Sequence, residues 1–297
     1  MEAFRQNQRR GAALMLSLWA LFLLSAMVIS WALDIDSRLT LSGHANRILE
    51  AEALACSGAE VAMCPGTKPG LPALEGGFGR DQRYQARITG EGGRLNIRWL
   101  LTGENPAHLE VLRKYLEIKG VELNDRDRMI DTLLDWVDPD NLVRLNGAED
   151  EPGYKPANRM ITHLEDLKKI KGWEEFTSAK DWDSDLTLDS TGQIDIKWAP
   201  RDVLLALPGV SEDRVDQFLT LRSGPDGIDG TEDDPPVAQA LLALGIPQQQ
   251  LGDLVSQTGD TTFRVVSVGK SGDVTRTVQM VILKLGNSVQ LKSWKEF

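Results

Sequence analysis

Two acidic loops contain the residues whose types and spacing best suit metal chemistry. The first loop spans residues 138–150 and the second spans residues 224–234. Carboxylates alternate with glycines in the second loop, which lets backbone carbonyls converge with side chains on a hard cation such as Ca²⁺. Neither loop has the EF-hand spacing, and a solvated acidic turn explains each loop equally well. The candidate ligands are Asp138, Asp140, Glu149 and Asp150 in the first loop, and Asp226, Asp229, Asp233 and Asp234 in the second.

Few features of the chain predict catalysis. The three histidines, His44, His108 and His163, do not have metalloprotease spacing, and the sequence contains no nucleophile-elbow, phosphate-loop or dinucleotide-binding pattern. Pairs of carboxylates are expected by chance among 44 acidic residues. We therefore expect structural histidines and no enzyme. The alternative, an anchored metal-dependent hydrolase, would require the acidic loops and a histidine to meet in one cleft.

An uncharged apolar segment lies close to the N-terminus. It covers residues 11–33, and as a helix it would be about 35 Å long, which is enough to cross a bilayer. Three arginines precede the segment, and Asp34 and Asp36 follow it. The positive-inside rule then places the N-terminus in the cytoplasm and the bulk of the chain across the membrane. The segment is too long for a cleaved secretory signal, so we expect an inner-membrane, single-pass anchor with a periplasmic bulk.

The junction before the apolar segment carries a processing signature. A short basic leader ends in two arginines and Gly11 and meets the apolar segment without a spacer. This junction resembles the type IV prepilin signal, which a prepilin peptidase cuts on the cytoplasmic side of the membrane. Cleavage between Gly11 and Ala12 would keep the apolar segment in the protein as a helix. A plain signal anchor fits the hydropathy equally well.

The helical pattern continues beyond the apolar segment. Proline is absent before Pro65, so we expect one helix of about 50 residues and about 75 Å, half in the membrane and half amphipathic. Such a helix is typical of pilins. A disulfide between Cys56 and Cys64 stays open, because it would require the helix to end before Cys64. The apolar positions are Ile35, Leu39, Ala45, Leu49, Ala53, Cys56 and Met63.

The rest of the chain predicts an α+β head. Alternating residues at 83–88 and 94–99 predict one β-hairpin, and those at 263–268 and 274–285 predict a second. Helical spacing prevails between the two hairpins. The predicted parts are a leader (1–11), a transmembrane half-helix (12–33), an amphipathic helix with the first hairpin (34–102), an inserted α-helical domain (103–255) and C-terminal strands (256–297).

Several motifs of the head together resemble one known family. They are Asp-Trp-Val-Asp-Pro-Asp at 135–140, Asn-Gly-Ala-Glu-Asp at 146–150, Tyr-Lys-Pro-Ala-Asn at 154–158, Leu-Glu-Asp-Leu at 164–167, and a block from 194 to 210. With the prepilin junction, these motifs resemble the minor pseudopilin K family of type II secretion, general secretion pathway protein K, over nearly the whole chain.

The resemblance implies a fold, a role and partners. The fold is a pilin-like long N-terminal helix on a small antiparallel sheet, with a large inserted all-α domain similar to helix-hairpin-helix or SAM domains. The role is a minor pseudopilin at the tip of the type II secretion pseudopilus, which helps to initiate assembly and the export of folded proteins. The partners are other minor pseudopilins, the major pseudopilin and prepilin peptidase. Ca²⁺ binding is consistent with the family.

The fifth residue after the predicted cleavage site indicates where the subunit would lie in a filament. Most pilins and pseudopilins carry glutamate there, thought to pair with the amine of a neighbouring subunit, whereas this chain has Leu16. A carboxylate in lipid is costly unless it is paired, so a subunit without one has nothing to offer a subunit above it. The K family similarly lacks this glutamate, which suits a subunit at the tip.

The main alternative is a membrane-anchored, competence-type DNA-binding protein that uses the helix-hairpin-helix-like turn at residues 207–211. Residues 193–222 contain four basic and five acidic side chains, and the whole chain has a net charge of -11. Counter-ion release cannot drive binding to DNA at such a surface. We therefore expect helix packing there and no nucleic-acid partner.

Overall fold

A single long helix, α1 (Glu2–Met63), begins the fold. The computed structural model describes residues 2–245, 252–256 and 259–297. Helix α1 ends immediately before Cys64-Pro65-Gly66, as expected because proline and glycine stop a helix. The predicted continuous helix through the membrane segment and beyond is therefore present. Cys56 and Cys64 are free thiols.

The described side chains of α1 from Leu14 to Leu33 are all exposed. Leu16 is 72% exposed, and Trp31 is 69% exposed. Within the described part of the chain, α1 is the helix whose length and composition suffice to cross a membrane. Burying such a surface in lipid removes it from water, and this supports the predicted membrane anchor.

The other elements follow in chain order, and we number them here. They are β1 (Glu75–Phe78), β2 (Gln82–Gly90), β3 (Leu95–Asn96), α2 (Ile97–Leu101), α3 (Pro106–Ile118), α4 (Leu123–Val137), α5 (Glu174–Ser178), β4 (Leu186–Thr187), α6 (Arg201–Leu205), α7 (Glu212–Arg222), α8 (Val237–Leu244), β5 (Thr262–Ser271), β6 (Val274–Leu285) and β7 (Ser288–Glu296). The result is the predicted α+β fold.

One antiparallel sheet of five strands packs on the second half of α1, in the order β1-β2-β5-β6-β7. Small residues of the helix, among them Ala55 and Ala59, are buried against Ile88, Val265 and Met280 of the sheet. The approach is so close that a Cβ on Gly269 would lie 2.0 Å from the carbonyl oxygen of Ala51. Small side chains on both layers therefore set the helix-to-sheet distance.

The predicted first hairpin is wrong, and the predicted second hairpin is confirmed. Strand β2 pairs with β1 and β5, whereas residues 94–99 form only the short β3 and the start of α2. The side chain of Asn96 accepts a hydrogen bond from the Trp99 backbone N–H at 3.2 Å and caps α2, which ends the strand. Strands β5 and β6 form the second hairpin. Strand β1 was not predicted, and β7 lies in the predicted C-terminal part without having been predicted as a separate strand.

The helical domain lies between β2 and β5 in the chain. Its core includes the buried side chains of Leu95, Tyr115, Leu133, Trp173 and Phe218. The domain therefore begins near Leu95, because β3 and α2 pack into this core, and the predicted boundary at residue 103 is too late. Helices α3 and α4 carry the predicted helical spacing, but most of the chain from 138 to 173 is irregular.

Candidate functional sites

A cluster of three carboxylates forms where α4 ends. Asp135 lies in the last turn of α4, Asp138 follows the helix, and the returning loop brings Glu149 to them. Each residue offers an oxygen within 4.8 Å of the others. Asp135 and Asp138 are three residues apart and project from the same side of the helix end. The cluster therefore concentrates three negative charges in a largely buried place.

One arginine partly neutralises the cluster. Arg144 Nη1 lies 2.7 Å from Asp135 Oδ1, and the same guanidinium contacts Asp138. Its Nη2 lies 2.7 Å from Glu104 Oε1. One positive charge thus pairs with two carboxylates of the cluster, Asp135 and Asp138, and with a further carboxylate, Glu104, from the loop before α3.

Glu149 is the carboxylate that this arginine leaves unpaired. Both of its carboxylate oxygens and Asp138 Oδ1 are buried without a hydrogen-bond partner in the described structure. Burial raises the pKa of Glu149, and the charges of Asp135, Asp138 and Asp140 raise it further. Buried oxygens without donors, next to further carboxylates, fit a hard cation such as Ca²⁺.

A glycine allows the loop to approach the cluster. A Cβ on Gly147 would lie 1.9 Å from Asp135 Oδ2, so a side chain at this position would displace the carboxylate. The Arg144 backbone N–H also points at Asp135, at 3.3 Å from Oδ2. Asn146-Gly147 thus closes the loop over the end of α4.

Two of the four predicted ligands in this loop lie in the cluster. Asp138 and Glu149 do, whereas Asp140 accepts a hydrogen bond from the Leu142 N–H at 2.8 Å and Asp150 is exposed, with Lys155 3.9 Å away. Asp135 was not among the predicted ligands. Asp135 could have been predicted from its position three residues before Asp138, because residues at this spacing near the end of a helix lie on the same side.

The second acidic loop is organised by its own hydrogen bonds. Asp226 accepts from the Ile228 N–H at 2.7 Å, and Asp234 accepts from the Gly230 N–H at 2.6 Å. Asp233 accepts from the Asp226 N–H at 3.1 Å. Asp229 forms a two-point ion pair with the buried Arg222, at 2.9 and 2.8 Å. These carboxylates stabilise a turn, and the cation site predicted here stays a prediction.

The helix-hairpin-helix-like region consists of α6, a turn with Gly209 at φ 78°, and α7. The four basic side chains of residues 193–222, three in this region and Lys197 just before it, all contact other groups of the protein. Arg201 pairs with Asp216 at 2.9 Å, and the Arg222 guanidinium donates to the Ala199 carbonyl. Lys197 lies 3.9 Å from Asp234, and Arg214 donates to the Gly245 carbonyl at 3.3 Å. The region therefore has the contacts of a packing unit.

The histidines lie in three separate places. His44 is exposed on α1, and His108 is buried with its ring 3.8 Å from the ring of Trp99. His163 precedes a helical turn. The Asp166 carboxylate caps this turn by accepting a hydrogen bond from the His163 backbone N–H at 3.2 Å. The structure brings none of them to the carboxylate cluster.

The predicted processing site lies on α1. Gly11 and Ala12 belong to the helical backbone of α1, but their exposure lies outside what the structure describes. Leu16 is an exposed apolar residue of the same helix. The cleavage prediction at this junction stays a prediction.

A buried ion pair that the sequence analysis missed lies between β5 and the turn after β2. Its Arg264 also donates to the Leu186 carbonyl of the helical domain at 3.2 Å, so the pair connects the sheet to this domain. Glu91 is fully buried, and its carboxylate contacts Arg264 of β5 at 2.6 and 2.9 Å. Arg94 lies 3.2 Å from the same carboxylate. Burial, and then the charge of Arg264, lowers the pKa of Arg94 to about 10, although Glu91 opposes this shift. Long separation in sequence hides such a pair from pattern analysis.

Comparison with known proteins gives three findings. A family model described as type II secretion system protein K matches residues 93–180. The type II secretion system protein K of Dickeya chrysanthemi is 30% identical over 71 residues, 23% of this chain and 20% of the relative. The matched part thus spans about a fifth of that relative's length.

The third finding concerns the fold. A chain of the crystal structure of the GspK–GspI–GspJ complex from the enterotoxigenic Escherichia coli type 2 secretion system matches with a TM-score of 0.56 and 16% identity. The match covers 89% of this chain and 99% of the other. The fold extends over nearly the whole chain, and the resemblance to the protein K family is confirmed.

Proposed function

Because this chain carries a domain of the type II secretion protein K family, we propose that it is a minor pseudopilin of a type II secretion system. The observation that carries the proposal is the continuous helix α1, which is apolar and exposed over residues 14–33 and is packed on the sheet from Ala51 onwards. Such a helix both anchors the head and offers a surface for neighbouring subunits.

The exposed part of α1 between membrane and head supports assembly with sister subunits. Leu39, Leu41 and Leu49 lie between the apolar segment and the packed part of the helix, and each is more than 60% exposed. Apolar residues in water along one helix favour packing against other helices. The structural relative comes from a complex with GspI and GspJ, and we infer equivalent minor pseudopilin partners for this chain. We also infer the major pseudopilin and prepilin peptidase as partners of this chain.

The inferred place is the tip of the pseudopilus. Leu16 offers no carboxylate to an amine of a subunit above it, and the helical domain, inserted between β2 and β5, enlarges the head. A subunit with these two features begins a filament in the inner membrane and leaves its head in the periplasm. Its role is then to initiate the pseudopilus that helps to export folded proteins.

Calcium at the carboxylate cluster is the second part of the proposal. Asp135, Asp138 and Glu149 would hold the ion, because Glu149 has two buried oxygens without donors. A bound Ca²⁺ supplies positive charge and ligand bonds that fix the loop to the end of α4. This chain's own part is to keep Asp135 in place through Gly147 and to balance charge through Arg144.

Co-purification tests the proposed assembly. The full-length chain is co-expressed with the GspI- and GspJ-type minor pseudopilins of the same organism, extracted in detergent and separated by size. We expect a stable complex of the three proteins. Replacement of Leu39, Leu41 and Leu49 by serine should release this chain from the complex. A chain that elutes alone without any substitution would contradict the proposal.

A further inference from the structure

The sheet has an outward face, and this face is basic. Side chains alternate between the two faces of a strand, and Ala86 and Ile88 of β2 are buried towards α1. Arg83 and Arg87 of the same strand therefore point away from α1, and both are exposed. Lys270 of β5 lies directly opposite Arg83 in the antiparallel register and shares its face. We call Arg83, Arg87 and Lys270 the basic face.

The arrangement of the basic face is unfavourable within the protein itself. Like charges directly opposite each other on neighbouring strands are destabilising, and Arg83 and Lys270 are such a pair. Throughout the described residues, the three side chains form no ion pair and no side-chain hydrogen bond. Glu75, on the same face of β1, is held by the Gln85 amide at 2.7 Å. The fold thus keeps a local repulsion that it does not need for its own packing.

The surroundings make this face suitable for binding. Val266 and Val268 of β5 point to the same face and are half-buried, so the basic side chains lie next to apolar surface. The chain as a whole has a net charge of -11, whereas this face carries three positive side chains. Arginine beside apolar area is typical of protein interfaces.

We propose that the basic face binds an acidic surface of another protein. The proposal is independent of the role in secretion, because it rests on the face of the sheet that α1 leaves open. An opposite charge on a partner would relieve the repulsion between Arg83 and Lys270, so that binding removes a cost already present in the free protein.

The position of the face favours a protein over the lipid surface. Arg47 pairs with Asp273 and Gln82 donates to Glu50, so the strand ends near the basic face lie beside residues 47–50 of α1. Residue 47 is 14 residues beyond the end of the apolar segment at Leu33, about 21 Å along the helix. This distance is more than twice the Debye length of about 8 Å, so lipid charges are screened.

Charge reversal on the face gives the test. The full-length protein in neutral detergent is titrated with poly-L-glutamate as an acidic-protein probe, and separately with phosphatidylglycerol vesicles. We expect Arg83→Glu and Lys270→Glu each to weaken poly-L-glutamate binding about tenfold. Each substitution also turns the like-charge pair into an opposite pair, and should raise Tm by about 1–3 °C.

The control is Lys180→Glu, which makes the same change in net charge at an exposed lysine outside the basic face. It should change neither binding nor Tm beyond the effect of net charge alone. A purely structural role for the basic face predicts no loss of binding relative to this control, and that result would overturn the proposal. Wild-type protein that binds the vesicles but not poly-L-glutamate would overturn it as well.

Discussion

At the scale of single residues, Glu149 decides how the carboxylate cluster behaves. A buried carboxylate without donors favours its protonated form, which is why its pKa is raised. A carboxyl whose pKa is higher in the folded protein contributes stability below its unfolded pKa, and that contribution is lost as pH rises through the folded pKa. In the presence of a calcium chelator, the free energy of unfolding should therefore fall as the pH rises from mildly acidic to neutral values.

Substitution of Glu149 separates the effect of charge from the effect of calcium. In chelator at pH 7, Glu149→Gln should raise the free energy of unfolding by about 1 kcal/mol, because it removes an unpaired buried charge. With Ca²⁺, the wild-type protein should gain Tm and the variant should not. Thermal unfolding with and without chelator measures both effects, and Glu175→Gln, on an exposed glutamate, is the control. An equal calcium response in both proteins would exclude the cluster as the site.

The cluster was predictable only in part, for a physical reason. The carboxylates at 138–150 indicated a loop that could gather oxygens, and Asp138 and Glu149 do meet there. Asp135 joins them because α4 continues up to Val137 and turns this residue towards the loop. The sequence offered no means to see that Arg144 would occupy one side of the cluster.

At the scale of elements, the contact between α1 and β5 depends on the absence of side chains. Gly269→Ala would place a Cβ 2.0 Å from the Ala51 carbonyl oxygen, so the helix or the strand must move. We expect a loss of about 2–4 kcal/mol in the free energy of unfolding, as for other overpacked cores. Urea unfolding measures this loss.

The matched control uses a glycine in open space. Gly43 lies in α1 with nothing within 4 Å of an added Cβ, and alanine has a higher helix propensity than glycine. Gly43→Ala should therefore leave the free energy of unfolding unchanged or raise it by up to about 1 kcal/mol. Equal losses in the two variants would contradict the close-approach explanation.

Elements with a regular pattern of apolar residues were predictable from the sequence. Elements that depend on pairing with a distant strand were not. The uninterrupted apolar and amphipathic pattern predicted α1, and alternation with a short turn predicted β5 and β6. Residues 94–99 also alternate, but Asn96 caps a helix there, and β2 finds its partner 170 or more residues later, with Gly90 opposite Phe263. Local pattern carries no information on such a partner.

At the scale of the whole molecule, a buried ion pair holds the sheet and the helical domain together. Glu91→Gln would remove the carboxylate that pairs with the buried Arg264 and the half-buried Arg94. We expect a loss of about 3–5 kcal/mol in the free energy of unfolding, with the helical domain and the sheet unfolding in separate steps. Urea unfolding followed by far-UV circular dichroism and tryptophan fluorescence would show the separation.

A surface ion pair supplies the comparison. Glu165 pairs with Lys295 at 2.7 Å, and its side chain is 50% exposed. Glu165→Gln should cost no more than about 1 kcal/mol, because solvent screens such a pair. If Glu91→Gln were as mild as Glu165→Gln, the buried pair would not be what joins the two parts of the molecule.

The central claim is that α1 is a pilin-type spine processed at its N-terminus. The most direct measurement is the intact mass of the full-length chain after co-expression with a prepilin peptidase, beside a catalytically inactive peptidase. We expect the active peptidase to remove residues 1–11, so that the chain begins at Ala12, and the inactive one to leave the chain whole. An uncut chain with the active peptidase would contradict the claim.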